Sequence, residues 1–492
     1  MGEGNYQTYT KNAQNDPRVP LNYRGVSLLP TVSKLFSGIL NNRLVAFLDS
    51  ENLIVDEQNG FRKSRACIDH IFVLTTIIRN RKAQGLSTFA AFVDMKKAFD
   101  WVNRDLLFYK LLNYGINGNF YNAIKNMYQN PFSCINVNGF LSPWFSTNSG
   151  VRQGDVLSPT LFSVYLNDLA VEINELHIGI PVGDRMISAL LYADDIVIVA
   201  DSEDKLQTAI TVLAHWCQKW RMVVNETKTQ IVHFRGPNID RTNFVFQYND
   251  KILDVVPRYK YLGVVLDEFL NFDVTAGTLS DAAGRALGAV ISRIHKYRDF
   301  RFGTFTTLFN SCVTPITDYC SGIWGYVDNL KCVALQNRAI RYFLGVHKFA
   351  PKLAINGDMG WTPSNMRHKL NILRFWNRVV NMSNDRITKV VFLWDYNLRD
   401  RIKNWSYDIA NVFRDINLQS KFSNLEIVNL DDAACKLRDI FERKWAIDVC
   451  RKPKLRTYIT LRKNMKQKVM YCNRCQDQNA QSLHNLDLVF YL

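Results

Sequence analysis

Two almost uninterrupted apolar stretches, one ended and the other interrupted by aspartate, constrain this chain more than any other feature. Thr88-Phe89-Ala90-Ala91-Phe92-Val93 runs into Asp94, and Leu191-Tyr192-Ala193-Asp194-Asp195-Ile196-Val197-Ile198 carries two adjacent carboxylates between apolar runs. Such runs predict strands buried on both faces, and the second predicts a hairpin within 186–200. An Asp-Asp turn taken alone is ordinary, because Asp is common in tight turns. Here the flanks put two like charges at the tip of a buried hairpin, where repulsion and desolvation both oppose them. A divalent cation is the usual remedy, and hard carboxylate oxygens suit Mg²⁺. One strand-end Asp with a hairpin Asp pair is the donor set of two-metal phosphoryl transfer.

The charge balance points to the same chemistry. The 492 residues hold 61 Lys and Arg against 45 Asp and Glu, a net charge of +16. A basic excess of this size fits a polyanionic partner, with nucleic acid first, because neutralised phosphates release counterions. Hydrophobic residues make up 47% and charged residues 22%, the range of an ordinary folded protein. No apolar run reaches about 18 residues, so no membrane association is expected. Residues 1–20 are polar and loop-like, without the apolar core of a signal peptide. The ten cysteines therefore read as reduced core thiols.

Periodicity divides the chain near residue 270. Before it, helices are expected over 31–49, 67–83, 103–113, 118–128, 158–175 and 203–220. Strands are expected at 133–138, 143–147, 229–234, 244–248, 251–253 and 261–266. After it the strand signal fades, and helices are expected over 277–297, 304–320, 329–344, 364–382, 404–418 and 432–449. A softer boundary falls at 350–361. Residues 451–468 hold eight Lys and Arg and no acid, which reads as a basic arm.

The motifs in order resemble the reverse transcriptases. Tyr192-Ala193-Asp194-Asp195 in an apolar hairpin is similar to their signature, and Phe92-Val93-Asp94 followed by Ala98-Phe99-Asp100 is similar to their first palm motif. Between them lies Ser149-Gly150-Val151-Arg152-Gln153-Gly154-Asp155-Val156-Leu157-Ser158-Pro159, similar to the family's Gln-Gly nucleotide-pocket motif. Asn22-Tyr23-Arg24-Gly25-Val26-Ser27-Leu28-Leu29, Gln58-Asn59-Gly60-Phe61-Arg62 and Trp220-Arg221-Met222-Val223-Val224-Asn225-Glu226-Thr227-Lys228-Thr229 resemble the non-LTR, LINE-type retrotransposon branch. Their wording favours that branch over intron maturases and telomerase-like enzymes. The resemblance covers about residues 16–270.

The resemblance implies an α+β right-hand polymerase with a helical C-terminal region. Its parts would be partial fingers at 1–85, a palm at 86–270 with fingers elements interleaved at 101–132, a helical thumb at 271–350, and helices over 351–492. It implies an RNA-directed DNA polymerase that extends a DNA primer 3′-hydroxyl on an RNA template. The partners would be that RNA, a DNA primer or nicked target DNA, and deoxynucleoside triphosphates, in the nucleus and cytoplasm. Asp94, Asp194 and Asp195, with the backbone carbonyl of Met95, would hold two Mg²⁺ ions, for which Mn²⁺ could substitute. Phe99 would be a steric gate against the ribose 2′-hydroxyl. Arg24, Arg62, Lys63 and Arg65 would neutralise the triphosphate, and Gln153 and Gly154 would line the nucleotide pocket. Lys228 would protonate the departing pyrophosphate. Tyr259-Lys260-Tyr261-Leu262-Gly263 fits either a primer-grip hairpin or an aromatic edge strand. Arg285, Arg293, Lys296, Arg338 and Arg341 could face phosphates from the thumb.

Two expectations concern the ends. Cys472 and Cys475 with His484 resemble the zinc knuckle of LINE-type polymerases, but a fourth ligand is lacking, so the knuckle reads as degenerate. The chain begins almost inside the first fingers motif, and neither an endonuclease nor a ribonuclease H pattern is visible, so it reads as N-terminally truncated. The rival reading is a catalytically inactive remnant that only binds nucleic acid.

Overall fold

The computed structural model describes residues 3–10, 23–129, 131–137, 139–297, 301–455 and 458, with side chains from residue 26 onward. The chain divides into two compact units, Met1–Leu262 and Gly263–Leu492. No helix among the described residues is long and apolar enough to cross a membrane.

The first unit is built on a five-stranded sheet. Its spatial order is Asp254–Val255, Gln230–Phe234, Thr88–Asp94, Asp195–Ala200, Ala189–Tyr192. Thr88–Asp94 is the central strand and is antiparallel to both neighbours. Residues Thr88 to Val93 are all buried, and so are Ile196 to Ala200, as continuous apolar runs require. The two faces separate with the period of a strand. Phe89, Ala91 and Val93 join the main core with the helices Ser158–Glu175 and Glu203–Lys219. Phe92, pointing the other way, stacks on Tyr259 at 4.3 Å. The helix Cys67–Ala83 also packs on this sheet and is buried over most of its length, which explains why it carries little polar surface.

A second sheet joins Glu3–Thr10, Tyr23–Leu28, Phe132–Val137 and two short strands, Phe140–Leu141 and Phe145–Ser146. The strand Glu3–Thr10 corrects the loop expected over residues 1–20. Its polar sequence has no alternation, but it pairs antiparallel with Tyr23–Leu28 and parallel with Phe132–Val137, and those ladders satisfy its backbone.

The second unit is helical after the short strand Val264–Asp267. Phe272–Tyr297 packs with Leu330–Leu344 around Ala283, Leu287, Phe305, Phe309 and Ile340. The single helix expected over 304–320 is broken. It is Phe302–Leu308, then a π-helical turn at Phe309–Val313, then Thr314–Thr317. Pro315 has no N–H to continue the α-helical ladder, which accounts for the interruption. The stretch expected as a boundary at 350–361 contains the helix Lys352–Met359, ended by Gly360 at φ +65°. Farther on, Ser364–Val380, Ile387–Leu398 and Trp405–Asp415 enclose Trp376, whose ring meets Phe392, Phe413 and Phe422. Leu430–Arg451 is the last long helix described.

The described cysteines are free thiols, but Cys312, Cys435 and Cys450 are exposed and so are not core residues. Cys472, Cys475 and His484, and most of the basic arm, lie outside the described residues.

Candidate active site

Strand pairing sets the three carboxylates. Asp94 is the last residue of the central strand, and Asp195, the first residue of its neighbour, is its direct cross-strand partner. Directly opposed residues in an antiparallel pair present their side chains on the same face. Asp195 also pairs with Tyr192, so the hairpin turns on just Ala193 and Asp194. Such a two-residue turn needs positive φ, and Ala193 supplies it at +58°. Asp194 and Asp195 are exposed and Asp94 is half-buried. The carboxylates thus sit at the open end of two strands that are buried along the rest of their length.

The segment after Trp220 wraps Asp94. Asn225 donates its backbone N–H to Asp94 O at 2.7 Å, and its side-chain Nδ2 to Asp94 Oδ2 at 2.9 Å. The Asp94 N–H donates to Thr229 Oγ1 at 3.2 Å. Lys96 N–H donates to Val223 O at 2.8 Å, so the Met95–Val224 bridge bonds through Asp94 and Lys96 and leaves Met95 out of the ladder. Lys228 Nζ stands 4.0 Å from Asp94 Oδ2 with its side chain 69% exposed. That exposure leaves the ammonium free to follow a ligand, and the contact is worth little to stability.

The Gln-Gly segment meets the site from another direction. Ser27 N–H donates to Gln153 O at 2.7 Å. Gly154 has φ +106°, and a β-carbon there would lie 2.7 Å from Ser27 O, so only glycine fits. Phe99 lies half-buried, stacked on Phe162 at 4.6 Å and edge-on to the exposed Phe61 at 6.1 Å. Its carbonyl accepts from Val151 N–H at 2.8 Å, which ties the Gln-Gly loop to the Asp94 turn.

The basic cluster is divided. Arg62 Nη1 donates to Val55 O at 2.8 Å and Gln58 O at 3.2 Å. Arg65 is ion-paired with Asp56 and donates to Asn59 Oδ1 at 3.2 Å. Both guanidiniums therefore brace their own loop, while Lys63 is exposed. Arg24 lies on the strand Tyr23–Leu28, and its side chain falls outside the described residues. In the second unit Arg285, Arg293, Lys296 and Arg338 are exposed, whereas Arg341 is half-buried and donates to Ala350 O at 3.4 Å.

Burial near the carboxylates moves two phenols. Tyr259 is pushed up to about 12 by burial, with Asp94 and Asp195 adding to it. Tyr261 is driven well above its ordinary value by burial, then by Asp195. Both stay neutral beside a site that would hold phosphates. Among the described residues no three His, Cys, Asp or Glu are gathered closely enough to hold a metal ion as they stand. The donor chemistry is nonetheless that of a hard cation: carboxylate oxygens on one face of a strand pair, and exposed at the turn.

Sequence reasoning quoted Gln58, Gly60, Asn225 and Thr229 as motif letters without giving them work. Each bonds to or touches the strands that carry the carboxylates. Only their place inside motifs could have singled them out.

The family described as reverse transcriptase (RNA-dependent DNA polymerase) matches residues 11–266. The chain is 29% identical over 331 residues to a probable RNA-directed DNA polymerase from transposon BS of Drosophila melanogaster, covering 65% of this chain and 36% of that protein. It is 27% identical over 256 residues to the RNA-directed DNA polymerase from mobile element jockey of Drosophila funebris, covering 51% and 27%. The chain thus spans only about a third of the length of these relatives. Among solved structures, apo telomerase from Candida tropicalis aligns at TM-score 0.41 and 10% identity over 88% of this chain and 69% of that one. With its motifs in order along 11–266 and its paired carboxylates at the end of the buried sheet, the chain belongs to the reverse transcriptase family, and the right-hand polymerase fold class follows from that membership.

Proposed function

We propose that this chain is an RNA-directed DNA polymerase of the non-LTR retrotransposon type. It would extend the 3′-hydroxyl of a DNA primer, or of nicked target DNA, on an RNA template. The observation that carries the reading is the direct cross-strand pairing of Asp94 with Asp195 at the open end of two otherwise buried strands. Two like charges paired there repel each other, which opposes folding.

Asp94, Asp194 and Asp195, joined by the backbone carbonyl of Met95, would hold two Mg²⁺ ions, with Mn²⁺ an acceptable substitute. When bound, such ions activate a hydroxyl and stabilise a leaving phosphate oxygen. The chain's own residues would do the rest. Asn225 holds the Asp94 carboxylate by one oxygen and leaves the other available. Phe99, backed by Phe162, would press against the sugar and exclude a 2′-hydroxyl. The close backbone of Gln153 and Gly154 would form the floor of the nucleotide pocket. Lys63, with Arg24, would meet the triphosphate, and Arg62 and Arg65 would hold the loop that presents them. As the primer 3′-hydroxyl gives up its proton to solvent water and its oxygen bonds to the α-phosphorus, the bond from that phosphorus to the bridging oxygen of the β-phosphate breaks, and Lys228 gives its own proton to the departing pyrophosphate. Exposed cations on Phe272–Tyr297 and Leu330–Leu344 would run along the duplex backbone. The division into fingers, palm, thumb and C-terminal helices, and residence in nucleus and cytoplasm, belong to the same proposal.

The test is primer extension on a poly(A)-tailed RNA template with Mg²⁺, comparing the unmodified chain with Asp194→Ala. Extension lost in the variant supports the assignment. Equal extension by both would overturn it.

A further inference from the structure

The turn that carries Asp194 and Asp195 is held by residues from elsewhere in the chain. Ala193 occupies its first position at φ +58°, a region that a β-carbon disfavours. Something must over-determine that conformation. Residues Glu57 to Gly60 do so. Leu191 N–H donates to Glu57 O and Asn59 N–H donates to Leu191 O, both at 2.8 Å, which adds a parallel bridge at Gln58 to the hairpin's outer edge. Gln58 is fully buried. Its Oε1 accepts from Ala193 N–H at 3.0 Å and from Gly60 N–H at 2.9 Å. Both neighbours are donors, so the oxygen end of the amide must face them. Gly60 closes the contact: a β-carbon there would lie 2.2 Å from Ala193 N and 2.9 Å from Ala193 Cα.

The same amide leaves Nε2 buried without a hydrogen-bond partner among the described residues. An unmatched buried donor is costly, so what a glutamine supplies at this position is the pair of hydrogen bonds that its oxygen accepts from the turn.

We propose that Gln58 and Gly60 are positioning residues for the catalytic carboxylates. They fix the Ala193 peptide, and through it the direction in which Asp194 and Asp195 leave the sheet. This rests on the polymerase reading of those carboxylates. Metal-ligating groups held by such outer contacts lose affinity or activity by about 10–100-fold when the contact is removed. Gly60→Ala would push the turn away by steric overlap, and Gln58→Leu would release it by removing its acceptor. Gln58→Glu keeps two acceptor oxygens for the same N–H groups.

Three measurements test this. Amide hydrogen exchange on the unmodified chain comes first, since it needs neither activity nor a variant. Ala193 N–H is expected to be protected like a core strand amide, and exchange at the rate of an open turn would overturn the proposal. The second is Mn²⁺ binding followed by water proton relaxation. Gly60→Ala and Gln58→Leu are expected to bind about 10–100-fold more weakly, with Gln58→Glu close to the unmodified chain. The third is primer extension. The same two variants should lose kcat by a similar factor while the KM for deoxynucleotide holds, and both should melt lower, one through overlap with the Ala193 backbone and the other through two buried N–H groups left without an acceptor. Folded variants with unchanged Mn²⁺ affinity and unchanged kcat would overturn the proposal. If a variant does not fold, the exchange measurement decides alone. An unmodified chain that binds Mn²⁺ at the turn but extends no primer would reject the polymerase reading, and the exchange and Mn²⁺ results would still judge the clamp.

Discussion

Asp94 and Asp195 face each other across two antiparallel strands although 100 residues separate them in the chain. Asn225 and Thr229 bond to Asp94, and Lys228 stands beside it, so changes around the pair act on it directly.

Replacing either carboxylate by its amide keeps the shape and removes the charge. Asp94→Asn and Asp195→Asn should each lower kcat for primer extension by on the order of 10³-fold, because transition-state charge then loses several kcal/mol of stabilisation. Template–primer affinity, read by fluorescence anisotropy, should stay within a few-fold. A variant that keeps its rate would remove that residue from the catalytic set.

Asn225 touches Asp94 twice, once from its backbone and once from its side chain. Asn225→Ala spares the backbone bond and loses the other. A drop of about 10–100-fold in kcat is expected, with a higher Mg²⁺ requirement. A Mg²⁺ titration of the extension rate reads both.

Phe99 is expected to discriminate by size. Phe99→Val should raise ribonucleotide incorporation relative to deoxynucleotide by about 10–200-fold, the range a pocket contact can supply. The change also removes the ring that stacks on Phe162, so the melting temperature should fall modestly. Incorporation ratios unchanged in a folded variant would dismiss the gate.

Stability should depend on alkaline pH in two opposed ways. Lys110 is buried against Trp220 and paired with Asp168 at 2.6 Å, and burial lowers its pKa to about 8. The unfolded chain keeps that proton to about pH 10.4, so between about 8 and 10 it binds more protons and stability should rise with pH. Burial pushes Tyr128, Tyr165, Tyr192 and Tyr259 up to about 12, against about 10 when unfolded. Their contribution is complete below about pH 10 and is lost as pH climbs toward 12. Urea midpoints measured from pH 7 to 11.5 should therefore pass through a maximum near 10. Lys110→Met should flatten the rising limb and leave the falling one. A monotonic fall from pH 8 in the unmodified chain would contradict this account.

The two carboxylate-bearing strands were legible because their signal is local. Apolar residues run without interruption from Phe89 to Val93 and from Ile196 to Ile198, and the carboxylates end or interrupt them. The helices 31–49, 67–83 and 158–175 were equally plain from spacing, and their observed bounds, Thr31–Ser50, Cys67–Ala83 and Ser158–Glu175, lie within a residue of those expected. What escaped was non-local. Glu3–Thr10 is a strand because of what it pairs with, not because of its own pattern. Arg62 and Arg65 looked like free cations because the carbonyls of Val55 and Gln58 and the Asp56 carboxylate that receive them carry no sequence signature of reception. Gln58 reaches Ala193 and Asn225 reaches Asp94 across separations of 135 and 131 residues, far beyond any periodicity. The Pro315 break was visible as a letter, but its form, a π turn at Phe309–Val313, depends on packing around Phe309.

The sequence separation of those contacts has a consequence for synthesis. A chain leaves the ribosome from its N-terminus, at about 5–20 residues per second. Gln58 and Asp94 emerge first, Ala193 much later, and Asn225 and Thr229 last of all. Until Thr229 is clear of the exit tunnel, the Asp94 strand has no Gln230–Phe234 neighbour and its carboxylate has no Asn225 amide. Translation would therefore present an apolar strand with an open edge for several seconds, a target for chaperones and a hazard for neighbouring nascent chains. The same delay keeps the carboxylate pair incomplete until the whole first unit has been made.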